Sequence, residues 1–461
     1  MRYELDFEYV ISQEMNKGGK FTHFPNKRML ILPYGVNYNE DVQDIKSLVG
    51  EISRRCINKT LTTSINKQDI LNNIKEKVDS ESNEVLLNFV EQLYFDDKGE
   101  LELFHPKVFA YSQLTKKGKL DQERIGKFLY DTLFSGLDKT AMNAVYDQNG
   151  DLMVQLIISS LPELVSVGDE ELDFINYVPI VKEVFQEDMN FIMKNNKYFI
   201  KCFEGLIKYY YFYYTSQIAL KLNQRQEANL NQISPLYFRL ATEEGGKNRP
   251  CYLQGYRLLK SGIENLFSNV MLVQFLNYNK HSNNVYTLPE WYQHYVKEAT
   301  DREKVEVINS INSFIALYKE QFDISWDNMN TDIKEGEEKV AAKINELVQT
   351  ISYQFKSGTR KRAAEGYKKW FTEYCNTHYL ERRGSLGYML TIDDKEILFI
   401  TGICIKDNQK MRLSELFMEF ERRGLYFDDI SKEKIASIYE RSNLLEKKSD
   451  SGDAQYVRAI L

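Results

Sequence analysis

The stretch LLEKKSDSGDAQYVRAIL, Leu444–Leu461, decides how the end of the chain reads. A helix end leads through Lys447 and Lys448 into Ser449-Asp450-Ser451-Gly452-Asp453, five turn-forming residues in succession. Such density predicts a hairpin tip. A short alternating strand follows, with Val457, Ala459 and Leu461 on one face. Upstream, Leu413, Leu416, Phe417 and Phe420 mark one amphipathic helix, closed by Gly424 as its C-cap. Ser431 is the expected N-cap of a second helix, with Ile435, Ile438 and Tyr439 inward.

Further back, Tyr367, Trp370, Phe371, Tyr374, Cys375 and His378 recur at helical spacing within 359–379. Leu386–Ile392 and the apolar run Ile397–Ile405 read as strands, with a buried helix as the alternative for the second. The corner Asp393-Asp394-Lys395-Glu396 between them reads as a hairpin tip. The order helix, strand or hairpin, helix, helix, hairpin predicts a winged-helix-like module over 358–461. Its connection Leu425–Ile430 is longer than the usual three- or four-residue turn.

The rest of the chain predicts a mainly α protein. A small mixed α/β part occupies 1–165, and a long-helix domain 166–357. Lys27–Val36 reads as a short strand or extended segment, and Glu84–Tyr94 as a helix with Val85, Leu86, Phe89, Val90 and Leu93 on one face. Apolar residues repeat at three and four positions through 301–323 and 332–355, the latter opening on Glu335, Glu337 and Glu338. The segment 198–222, which includes the aromatic block Tyr209–Tyr214, is interrupted by Lys201, Glu204, Lys208 and Lys221, which argues for a buried or interface helix over a membrane span. An acidic N-terminus without an apolar run, and five scattered cysteines without a CxxC pair, predict a cytoplasmic protein with reduced thiols.

Net charge is −7, unevenly spread: Lys356–Leu461 holds 20 Lys and Arg against 17 Asp and Glu. A basic end on an acidic body suits orientation on nucleic acid. The candidate contacts are Arg360, Lys361, Arg362, Lys368 and Lys369 on the first helix, Lys432, Lys434 and Arg441 on the last, and Lys447 and Lys448 at the wing base. Glu433 and Glu440 offset the last helix, and winged helices also serve as protein-docking modules, so both roles stay open.

Motifs for catalysis are weak. Gly245-Gly246-Lys247-Asn248-Arg249 lacks the first glycine of a phosphate loop and the hydroxyl after lysine, and reads as a surface turn. No GxSxG or HxxxH occurs. Asp393 and Asp394 are not followed by the Glu-x-Lys of a metal-dependent nuclease. No catalytic residue, metal site or cofactor is assigned.

The ending LLEKKSDSGDAQYVRAIL, with RRGSLGYML (382–390) and FERRGLYFD (420–428), resembles the C-terminal signature of the DptG family. The resemblance implies a bacterial subunit of DNA phosphorothioation-dependent restriction, an antiviral defence. It implies DptF-like and DptH-like ATPase partners, double-stranded DNA as a candidate ligand and no membrane. The family brings no catalytic residues. A non-catalytic subunit that engages DNA or bridges the ATPases is the leading expectation; a pure docking scaffold, and further off a nuclease, are the alternatives.

Overall fold

The computed structural model describes residues 2–25, 27–78, 83–168, 170–330, 337–358, 360–447 and 455–461. The protein is mainly helical, with a few small sheets. The helix Asn196–Gln224 runs through its centre, with 19 of its residues buried. The tyrosine block explains how so polar a set of side chains can be interior, because each phenol finds a partner. Tyr211 bonds the hydroxyl of Tyr34 (3.1 Å), Tyr210 donates to Asp188 (2.7 Å), and Tyr214 donates to Asn176 (3.0 Å). No described helix is long and apolar enough to cross a membrane.

One hydrophobic core extends from Tyr3 to Val457, and a smaller cluster gathers Ile70, Ile74, Val90, Phe95 and Ile157. Packing crosses the positions expected as boundaries. Strand Tyr237–Leu240, from the middle of the chain, lies between Tyr388–Ile392 and Tyr426–Phe427 and is parallel to both. Leu380–Arg382 completes this sheet, antiparallel to Tyr388–Ile392.

Asp301–Glu320 and Lys339–Ser357 form the two long helices expected from periodicity and pack together. Val305 is exposed and Val307 takes its place inward. Glu335 lies outside the described residues, while Glu338 caps the second helix by accepting the Ala341 N–H. Lys27–Val36 forms no strand; Leu30 within it makes an isolated bridge to Phe174. The helix Asn83–Tyr94 departs from its expected face: Val90 is buried, but Val85, Phe89 and Leu93 are exposed.

Glu14 ends the helix Phe7–Glu14 with no exposed surface, accepting the Phe24 N–H and a bond from Gln274 Nε2 (2.6 Å). Burial pushes its carboxyl up to about 7 from the ordinary 4.5, against the pull of those donors and of Lys27 and Arg360. The folded state therefore keeps a proton that the unfolded chain releases. Its contribution to stability is full below the unfolded pKa and is lost as pH rises through about 7. Urea titrations at about pH 5 and about pH 8 are expected to show a loss for the wild type that Glu14→Gln reduces by roughly 2–3 kcal/mol.

The C-terminal end differs from expectation at two places. Ile397–Ile405 belongs to a helix, Asp394–Ile405, and is not a strand; Asp393 is its N-cap, accepting the Glu396 N–H (2.8 Å), and not a hairpin tip. Burial on all sides from Ile400 to Ile405 removes the amphipathic period that distinguishes the two states. Ile397, Ile400, Ile403 and Ile405 are all interior, and the Leu461 side chain closes over Gly402. The N-cap of the last helix, Asp429–Arg441, is Asp428 and not Ser431; Asp428 accepts the Ser431 N–H (3.1 Å). The long connection is explained by strand Tyr426–Phe427 within it.

From Asp394 onward the elements run helix, strand (Lys410–Arg412), helix (Leu413–Arg422), the short strand Tyr426–Phe427 that joins the four-stranded sheet, helix (Asp429–Arg441), strand (Leu445–Lys447), strand (Gln455–Arg458). The three outer strands form an antiparallel sheet with Gln455–Arg458 in the centre. The expected turn Ser449–Asp453 lies outside the described residues. The helix before the first strand is thus 394–405. The helix Lys361–His378, expected in that role, packs instead on the body, where Trp370 Nε1 donates to Gly35 O (2.9 Å) and Tyr374 to Lys208 O (2.8 Å). His378 is a packed ring beside Tyr374, its pKa pulled down to about 4 by burial and by Lys208.

Candidate nucleic-acid interface

The orientation of the C-terminal unit is set by two clamps to the body. At the first, Asp188 on the helix Pro179–Met193 takes a bidentate pair of bonds from Arg423 (2.9 and 2.6 Å). Tyr210 and Lys406 also reach Asp188, and Glu419 reaches Arg423 (2.6 Å). Tyr209 and Tyr213 donate to the carbonyls of Arg423 and Arg422, satisfying the end of the helix Leu413–Arg422.

At the second clamp, Arg249 grips the N-terminus of the last helix through Asp428 (2.9 and 2.7 Å) and Ser431 (3.0 Å), with Glu243 accepting from both Arg249 and Ser431. The glycine-rich turn 245–248 is at the surface as expected, but its arginine is structural. Of the segments resembling the family signature, FERRGLYFD lies at these joints, carrying Arg422, Arg423, strand 426–427 and Asp428, whereas RRGSLGYML forms the turn between two strands of the four-stranded sheet.

The structure divides the expected cations between two places. Arg360, Lys361, Arg362, Lys368 and Lys369 belong to the helix on the body. Arg360 is half-buried, donating to His23 O (3.4 Å), and burial pulls its pKa down. Lys368 pairs with Glu365 (2.8 Å), and Lys369 lies over the Tyr38 ring (4.8 Å). Lys361 and Arg362 are exposed.

The other group is on the C-terminal unit, and most of its charge is offset internally. Lys432 pairs with Glu421 (3.8 Å), Arg441 with Asp394 (3.7 Å) and Lys447 with Glu440 (2.5 Å). Lys434 is exposed and forms no ion pair among the described residues. Lys448 lies outside them. The exposed positions of the last helix hold Asp429, Glu433 and Glu440 against Lys434 and Arg441, with Ile430 half-exposed among them. Surface ion pairs of this kind contribute little to stability, but they cancel the field that a polyanion would meet.

A second basic surface escaped the sequence reading. Lys410 and Arg412 on the first strand, with Arg458 and Tyr456 on the central one, face outward, while Met411 and Val457 pack into the core. The signal was present: KMR and YVR alternate with the two-residue period of a strand, which places the charges on one side. Glu446, also outward, accepts from Lys410 (2.7 Å) and Arg458 (2.5 Å), and these bonds hold its carboxyl below the usual range.

Elsewhere, a cavity of about 490 Å³ is lined by Glu51, Arg55, Lys127, Asp131 and Glu170. Among these, Arg55 pairs with Glu170 at 2.6 Å and Lys127 with Asp131 at 3.3 Å. Among the described residues no group of three or more His, Cys, Asp or Glu is placed to hold a metal ion. No protein-family model matches the chain, and no curated protein matches it.

Proposed function

We propose that this chain is a non-catalytic subunit of a bacterial, DptG-type restriction complex, engaging double-stranded DNA through a C-terminal winged helix while DptF-like and DptH-like ATPases supply the energy. The observation that carries the winged-helix reading is the order of elements from Asp394 to Arg458, with the last strand central in the three-stranded sheet. The restriction context rests on the resemblance of 382–390, 420–428 and 444–461 to the family signature. In this reading the chain is cytoplasmic, and its two clamps fix the winged helix on the helical body as one unit. Force applied to the body by a motor partner is then transmitted to the DNA-facing end.

A specific observation favours the scaffold alternative at one surface. The last helix carries offset charges and the half-exposed Ile430, a composition suited to a protein partner as well as to a DNA groove. Co-purification of the chain with the two ATPases, with and without duplex DNA over a salt series, separates the readings. The purified chain alone is expected to hydrolyse neither ATP nor DNA, and its duplex binding is expected to weaken steeply with salt. ATPase or nuclease activity in the pure chain would overturn the proposal, and complexes indifferent to DNA at every salt would leave only the scaffold.

A further inference from the structure

The polar surfaces of the C-terminal unit differ in what they offer a polyanion. On the last helix, three exposed acids stand against two bases. On the outer face of the three-stranded sheet, Lys410, Arg412 and Arg458 stand against Glu446. The sheet surface is also built. Lys410 lies 5.4 Å and the Arg412 guanidinium 5.9 Å from the centre of the Tyr456 ring, and Arg412 Nε donates to the Tyr456 hydroxyl (3.3 Å). An aromatic face between two cations restrains both and lowers the entropy lost when they bind.

We propose that this outer sheet face, and not the exposed side of the helix Asp429–Arg441, grips the phosphate backbone of duplex DNA, with Glu446 as a built-in competitor for the same cations. The inference rests on the reading above that the C-terminal unit engages DNA. The register places Lys410 opposite Arg458 and Arg412 opposite Tyr456, and Glu446 is opposite Tyr456 on the other side. Lys410 and Arg458 converge on one carboxylate, with donors at 2.7 and 2.5 Å. An ammonium and a guanidinium arranged in this way present the donors that a phosphodiester oxygen accepts. Positions i and i+2 of a strand, such as Lys410 and Arg412, are about 6.8 Å apart. That is the axial rise of two nucleotides along one strand at about 3.4 Å each. Glu415, exposed at the start of the next helix, accepts the Arg412 backbone N–H (3.4 Å). Its carboxylate opposes the field of Arg412 without occupying the guanidinium. The outward side chains are not core residues, so their charge can be removed with little effect on folding.

The test uses the full chain and a fluorescent 20-base-pair duplex of random sequence, with anisotropy read between about 50 and about 200 mM salt. The triple variant Lys410→Gln/Arg412→Gln/Arg458→Gln is expected to lose at least tenfold in affinity at the lower salt. Its slope of log affinity against log salt is expected to fall by about 2–3, near 0.9 for each phosphate contact removed. Glu446→Gln is expected to gain several-fold in affinity, a direction that misfolding cannot produce. Lys434→Gln/Arg441→Gln on the helix is expected to stay within about twofold. A wild-type salt slope in the triple variant, or weaker binding by Glu446→Gln, overturns the inference. Loss of binding confined to the helix variant also overturns it, while leaving the DNA reading intact. Absence of salt-dependent duplex binding by the wild type removes both together. In that case, loss of ATPase co-purification by the triple variant would identify an acidic protein as the occupant.

Discussion

Asp188→Ala is expected to destabilise the protein by about 3–5 kcal/mol, the usual consequence of removing one member of a buried ion pair. Asp188 has no exposed surface and Arg423 has 1% of its own. Two guanidinium nitrogens, the Tyr210 hydroxyl and Lys406 all direct their donors at this one carboxylate. Its loss strands a buried positive charge that only Glu419 and its carbonyl still meet. The double variant Asp188→Leu/Arg423→Met is expected to be less damaging than the sum of the single changes, since the two fully buried charges are removed together and neither is left without its partner. Denaturant midpoints, with amide exchange over 394–447, provide the measurement. A loss below about 1 kcal/mol for Asp188→Ala would show that the clamp does not hold the C-terminal unit in place.

Gly424→Ala is expected to cost about 2–4 kcal/mol through two separable effects. Gly424 has φ +78°, which an L side chain adopts at a cost of about 1–2 kcal/mol. A Cβ would also lie 2.4 Å from the Tyr213 ring, whose hydroxyl is held by the Arg422 carbonyl and leaves the ring little room to retreat. In a Tyr213→Ala background the overlap disappears and only the conformational part remains. The same substitution is then expected to cost about 1–2 kcal/mol. Equal costs in the two backgrounds, read from thermal or urea unfolding, would mean that the contact with the tyrosine helix contributes nothing. Both variants test whether the C-terminal unit and the body behave as one piece, which the transmission of motor force in the proposed function requires.

Much of the fold was legible from local pattern. The helices 301–320, 339–357 and 361–378 carry apolar stripes, and the charges flanking the tyrosine block argued against a membrane span. Legibility failed where the environment was uniform or distant. Residues 400–405 of helix 394–405 are all buried, so its β-branched residues imitated a strand. Asp428 and Ser431 are both good caps, and only the contacts of Arg249 and Glu243 with the pair show how their roles are divided. Residue type marks Lys432, Arg441 and Lys447 as basic, but the carboxylates within ion-pair distance of them lie at positions that spacing does not reveal.

By itself, the order of residues determined that this is a mainly helical chain with a short strand at its end, because backbone propensity and apolar period act over a few neighbours. Tertiary structure alone decided that strand 237–240 joins 388–392 and 426–427, that Arg423 meets Asp188, and which cations remain facing water. Those outcomes depend on desolvation and on pairing between groups hundreds of residues apart. Their energies exist only once the core has brought the partners together.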